Sequence, residues 1–241
     1  MTTWKNIARY LGYALSLAAL AYMVYRLAIY DDYAALLRSF QSASTVQYLF
    51  LVAAIVLLPL QLLVESRKWQ LMLQGLTSIS FRAAWQQVLR GYVGAFITPY
   101  RLGEYPTRLW QIGYTMDEWK NAIGGWKEWL LNWKKWIRVA CWHLMRYIVW
   151  MAQWWLILLF LQVDISPVQA ITAIAEYYVI ITIAPYIPSA EVACKGGWAT
   201  LIFSQYTSNI PAIALAVVFI WFINTIFPTI MGTFTPFRQK K

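Results

Sequence analysis

The chain has 241 residues, 61% hydrophobic and only 12% charged, with 15 Trp and a net charge of +10. Soluble domains carry about 25% charged residues, so this composition excludes an ordinary soluble fold, and no segment is long and polar enough to form a separate soluble catalytic domain. The basic residues flank apolar runs instead of lining a soluble face, which excludes nucleic-acid binding.

A membrane-spanning helix needs ~20 consecutive apolar residues. Residues 10–30 make the first such run, preceded by Lys5 and Arg9. It is too long for the apolar part of a cleaved signal peptide, and no small-residue cleavage site follows it. Residues 47–64 make the second run, with Pro59 expected to kink it. Residues 81–98 are amphipathic and carry Arg82 and Arg90. Residues 139–163, 168–187 and 211–231 make three further runs. Ser166-Pro167 and Asn209-Ile210-Pro211 act as the breakers before the last two. Residues 196–207 are apolar but too short to span, which suits a re-entrant or interfacial segment. The fold class predicted is an all-α polytopic membrane protein with five to six spans plus short re-entrant or interfacial helices. Residues 1–241 are expected to form one membrane domain.

Residues 117–137 read as an interfacial amphipathic helix within it. Trp126, Trp129, Trp133 and Trp136 fall at i, i+3, i+7 and i+10, one helical face. Lys120, Lys127 and Lys134 add basic charge beside this stripe, as expected for a helix lying in the headgroup plane.

Lysine and arginine set orientation. Residues 67–138 hold eleven of them, whereas residues 31–47 hold only Arg38. The N-terminus and the central segment are therefore expected on the cytoplasmic side. Arg238, Lys240 and Lys241 place the tail there too, which conflicts with a count of five spans. Beside this positive-inside bias, the net charge of +10 fits attraction to anionic headgroups. Cys141 in an apolar run and Cys194 in a polar turn read as unpaired thiols, since two cysteines give neither a disulfide framework nor metal spacing.

The residues that carry chemistry start at Thr98-Pro-Tyr-Arg101-Leu-Gly103-Glu104-Tyr-Pro106-Thr-Arg108. Glu104 and Arg108, four apart, share a helical face, and Pro106 suits the first turn of a helix. That helix start would aim backbone N–H groups at an anion, and Arg101 with Arg108 would offer guanidinium groups to a phosphate. A solvated ion pair in a loop is the bland alternative. Pro188 to Gly197 repeats the pattern: proline, then Glu191, then Lys195 four residues on. Two interrupted segments in corresponding halves point to a transporter site.

His143 and Arg146 lie three apart in the 139–163 run, and Glu176 lies in the next. Buried charges need partners, so Arg146 is expected to pair with Glu176, either as a structural pair or along a substrate path; the alternative is Arg146 snorkelling to the cytoplasmic interface. One His gives no metal site. No P-loop, Rossmann or HExxH pattern occurs, so nothing in the residues argues for an enzyme, and no cofactor is implied.

Glu65-Ser-Arg67-Lys-Trp69, then Phe96-Ile-Thr-Pro99-Tyr-Arg101-Leu-Gly103-Glu104-Tyr-Pro-Thr-Arg108, then Ile187-Pro188 to Gly197, resemble the lysylphosphatidylglycerol synthase membrane-region family, also described as flippase-like. Tyr100 stands where that family favours Gly. The chain also passes from Gly124 directly into the Trp/Lys segment, where the family continues into further spans, so it resembles a shortened member. The resemblance implies a prokaryotic plasma (inner) membrane protein that binds or translocates a phospholipid or lipid-linked molecule. Arg101, Glu104 and Arg108 would engage the headgroup, with Glu191 and Lys195 as counterpart. The partners implied are membrane lipids with anionic headgroups. The other reading is a non-transporting scaffold or accessory module that docks onto a lipid-modifying or glycosyltransferase enzyme or onto a second copy.

Overall fold

The computed structural model describes residues 14, 17–31, 33–34, 41, 43–98, 101–112, 117–118, 120, 131–183 and 190–235. Every element among them is helical. In chain order they are α1 (Leu17–Ala28), α2 (Thr45–Leu73), α3 (Phe81–Ile97), α4 (Glu104–Trp110), α5 (Trp133–Phe160), α6 (Pro167–Ile183), α7 (Glu191–Phe203), α8 (Ile210–Trp221), a π-helical turn (Phe222–Ile226) and α9 (Phe227–Thr233). Among the described residues, three stretches are long and apolar enough to cross a membrane: α2, α5 and the continuous run Ile210–Thr233. α1 and α6 are shorter apolar helices. The outer parts of the expected runs 10–30 and 168–187 lie partly outside the described residues.

The chain forms two compact units, and α2 and α5 each contribute one end to both. The first unit holds residues 1–55 and 151–222. Its centre is Trp154, fully buried. The indole stacks on Phe203 at 5.6 Å and 14°, meets Tyr177 edge-on at 5.1 Å, and donates its N–H to the Tyr178 hydroxyl at 3.1 Å. That last bond gives the one polar atom of the buried ring a partner, as burial requires. Gln153 donates to the Ala54 carbonyl at 3.1 Å, and Tyr48 packs on Phe160, so α2 and α5 run antiparallel here. α7 packs against both α6 and α8.

Local chemistry sets the breaks in this unit. Ser166 and Gln169 form a reciprocal cap at the start of α6. The Ser166 hydroxyl accepts from the Gln169 N–H at 3.4 Å, and the Gln169 side chain accepts from the Ser166 N–H at 3.1 Å, an arrangement that satisfies two helix-end donors at once. Asn209 caps α8 by accepting from Ala212 N–H at 3.3 Å, with Pro211 in the first turn.

The second unit holds residues 56–150 and 223–241. Ser80 caps α3 by accepting from Ala83 N–H at 3.2 Å. α3 turns back through Thr98 into α4, and the two helices pack together, while α9 covers α3 on another side. The Thr98 hydroxyl ties the turn by donating to Gly94 carbonyl and accepting from Gly103 N–H, both at 2.7 Å. The hairpin closes this tightly because Gly94 faces the Gly103 carbonyl, where a Cβ would lie only 2.5 Å from the oxygen. Trp69 of α2 donates to Gln87 of α3 at 2.7 Å, and Arg90 of α3 donates to the Thr235 carbonyl beyond α9.

Several expectations change. Cys194 lies buried inside α7, not in a polar turn, because the helix begins at Glu191, five residues before the apolar segment was expected to start. The expected 117–137 helix falls mostly on residues outside the described set, including Trp126, Lys127 and Trp129. Trp133 and Trp136 instead open the long helix α5, after a turn at Leu131. Periodicity groups these Trp residues on one face but cannot show where one helix stops and the next starts. The tail bases Arg238, Lys240 and Lys241, together with Pro99, Tyr100 and Pro188, also lie outside the described residues.

Candidate functional site

In the second unit a charged network runs through the packed helices. α2 buries a face on which Ala54, Leu58, Gln61, Leu62 and Glu65 follow at three- or four-residue spacing. Glu65 lies on this largely apolar buried face, which continues past it through Lys68 and Trp69, so its carboxylate is carried into the protein with it. From α4, Arg108 Nη1 donates to Glu65 Oε1 at 3.0 Å. From α5, Arg146 Nη1 donates to Glu65 Oε2 at 2.6 Å. From α2 itself, Lys68 Nζ donates to the same oxygen at 2.6 Å.

The network continues along α4. Arg108 Nη2 donates to Glu104 Oε1 at 2.5 Å, and Arg101 donates to Glu104 Oε2 at 3.1 Å. Glu104 and Arg108 share a face as their spacing predicts, and α4 starts at Glu104 with Pro106 in its first turn. The seven-residue α4 is too short to supply an anion site from its own backbone, so the charge of the site comes from side chains. Arg101 has φ of 58°, left-handed backbone that costs a non-glycine residue about 1 kcal/mol.

Burial is graded. The side chains of Arg108 and Glu65 are 1% and 4% exposed, whereas Arg101 is 27% exposed. Aromatic faces flank the cations: Trp69 lies 5.2 Å from the Arg108 guanidinium, Trp150 4.2 Å from that of Arg146 and Tyr92 5.5 Å from that of Arg101. Tyr92 is buried on α3, outside the three candidate spans, and burial pushes its phenol above the usual range, so it stays neutral beside the cations. Gly91 makes room for Arg108, since a Cβ there would overlap the arginine side chain.

Among the described residues, four cations are thus joined to two carboxylates. This leaves an excess of two positive charges in a partly dry environment, where electrostatic effects exceed those in water. Such a network can bind an anion. Among the described residues no group of three His, Cys, Asp or Glu is placed to hold a metal.

The structure brings Arg101, Glu104, Arg108 and Arg146 together and adds Glu65 and Lys68, which sequence reasoning did not single out as site residues. The signal for them was a carboxylate falling on the apolar face of a helix with a lysine three residues on. The expected Arg146–Glu176 pair is corrected: Arg146 is held by Glu65, and Glu176 lies on an exposed face of α6 beside buried Tyr177 and Tyr178. Chain proximity of two successive helices favoured Glu176, but the antiparallel contact of α2 with α5 places Glu65 at the right level. His143 is exposed and meets Tyr147 edge-on at 5.1 Å. In the first unit, Glu191 and Lys195 pair with each other across 2.5 Å on the first turn of α7.

No protein-family model, no curated protein and no solved structure matches this chain.

Proposed function

We propose that the protein is a multi-pass helical membrane protein that binds the anionic headgroup of a phospholipid or lipid-linked molecule at the Glu65–Arg108 network. The observation that carries this reading is the excess of two positive charges in a network that is buried at Glu65 and open at Arg101. Helix length supports it: α2 rises about 30 Å between Thr45 and Glu65, enough to cross a hydrocarbon core. The surroundings of the network support it as well. Ile97 and Leu102, at the α3–α4 turn, and Trp110, at the far end of α4, are 75%, 67% and 69% exposed, apolar surface suited to acyl chains next to a headgroup. The basic excess of residues 67–138 supports a cytoplasmic location for this end, and the family resemblance supports a prokaryotic plasma membrane with five to six spans. The resemblance of Glu65–Trp69 and of residues 96–108 to the flippase-like lysylphosphatidylglycerol synthase region points the same way and adds translocation as the outcome of binding.

A second reading, a non-transporting accessory module, is favoured by the Glu191–Lys195 pair. In this pair one cation meets one carboxylate, unlike the excess of cations around Glu65.

Binding is tested with protein purified in detergent and titrated with anionic or uncharged lipid. Saturable binding of the anionic lipid, weakened at least several-fold in Arg101→Gly, supports the proposal, and equal binding by both proteins overturns it. Lipid scrambling in liposomes then separates the readings: activity above protein-free vesicles supports translocation, and none supports the module.

A further inference from the structure

Glu65 is the meeting point of three cations from three helices. Arg108 of α4 reaches one carboxylate oxygen, while Arg146 of α5 and Lys68 of α2 share the other. One carboxylate neutralises one buried cation, and each further cation adds desolvation without a matching anion. Glu104 relieves part of this from the Arg101 side, yet two positive charges stay in excess.

Hydrogen-bonding capacity is in excess too. The Nε atoms of Arg108 and Arg146 are buried without a partner. So are both amide atoms of Gln61, whose side chain is fully buried. Gln61 lies one turn from Glu65 on the same face of α2, about 6 Å along the axis, a spacing at which helical side chains meet. Buried polar groups are seldom left unpaired in a finished core. Here four of their atoms surround or adjoin a single carboxylate.

A carboxylate has two oxygens, whereas a phosphate group presents more acceptors and matches guanidinium groups two bonds at a time. We propose that the focus of Arg108, Arg146 and Lys68 is a phosphate subsite and that Glu65 acts there as a built-in stand-in anion, which an incoming phosphate group displaces. The displaced carboxylate turns to the amide N–H donors of Gln61. The phosphate enters from the Arg101 end, where the network is most exposed. The assignment rests on the headgroup-binding reading and adds the chemical class of the ligand and the residue it must compete with.

It also gives a sign opposite to that expected of an ordinary site residue: removing Glu65 tightens binding. The test uses the full chain in detergent, with phosphatidic acid, inorganic phosphate and oleate as probes and both thermal shift and direct binding as readouts. Oleate carries negative charge without phosphate, and inorganic phosphate separates a soluble ligand from a lipid headgroup. Glu65→Gln is expected to melt lower than the parent without ligand and to bind phosphatidic acid about tenfold tighter, because the competent state no longer has to be won from an internal competitor. Oleate should not reproduce the shift. Response to inorganic phosphate equal to that to phosphatidic acid still supports the subsite and assigns it a soluble phosphate.

If Glu65→Gln does not fold, Glu65→Asp keeps the charge while shortening its reach and should tighten binding about threefold on the same argument. Gln61→Leu should leave the free protein at least as stable, since an unpaired amide is removed, yet bind phosphatidic acid less tightly. Unchanged or weaker phosphatidic acid binding in the Glu65 variants overturns the inference, and the headgroup reading then stands on the parent protein and Arg101→Gly. Absence of binding by the parent and by every Glu65 variant overturns both.

Discussion

Arg146 of α5 donates to Glu65 of α2 across 2.6 Å, joining residues 81 positions apart in the chain. This contact makes the second unit a charged site instead of a bundle with scattered polar residues. It draws the guanidinium of an apolar helix onto a carboxylate already held by Arg108 and Lys68.

The first prediction is an order of stabilities. Glu65→Gln leaves three cations facing one uncharged amide and should cost ~3 kcal/mol or more, the loss typical of breaking a buried ion pair. Arg146→Gln leaves Glu65 with Arg108 and Lys68 and should cost less, about 1.5–3 kcal/mol, as for one charged hydrogen bond. Thermal unfolding of the two variants in the same detergent checks the order. Equal melting temperatures would show that Glu65 is not the hub.

Glu176→Gln tests the corrected pairing. Glu176 is exposed on α6 and Arg146 is held by Glu65, so the change should stay within about 0.5 kcal/mol, the range of ordinary surface substitutions. A drop comparable to that of Arg146→Gln would restore the pairing expected from sequence.

Gly91→Ala places a methyl group against the Arg108 side chain. Arginine must then shift within a packed helix pair, at about 1–3 kcal/mol for overpacking, and anionic lipid binding should fall with it. Unchanged unfolding and binding together would mean that Arg108 does not lie over α3 as described.

Arg101→Gly separates stability from binding at one position. Glycine accepts the left-handed backbone at φ 58° without strain, so the variant should be as stable as the parent or more stable by about 1 kcal/mol, despite losing a partly exposed ion pair. Lipid binding should weaken at least several-fold. Stability and binding falling together would assign Arg101 a structural role alone.

Much of the architecture was legible along the chain because it depends on neighbours in sequence. The apolar runs around residues 47–64, 139–163 and 211–231 become three helices long enough to span among the described residues. Ser166 and Asn209 cap helices where breakers were read, since a cap needs only residues within one turn. Glu104 and Arg108 share a face for the same reason. Helix limits were less legible: Trp133 starts its own helix, and Cys194 lies within one.

Composition and periodicity alone thus indicated the helical, membrane-type character seen among the described residues and put Arg101, Glu104 and Arg108 on one short segment. Only the tertiary structure decided what those charges meet. The side of α2 that turns inward and the level at which α2 and α5 cross are properties of packing between distant helices. They make Glu65 the partner of Arg108 and Arg146, place Lys68 beside it and leave Glu176 outside. A local pattern carries a charge to a face of its own helix; which opposite charge lies across from it depends on the register of another helix, which spacing along the chain does not encode.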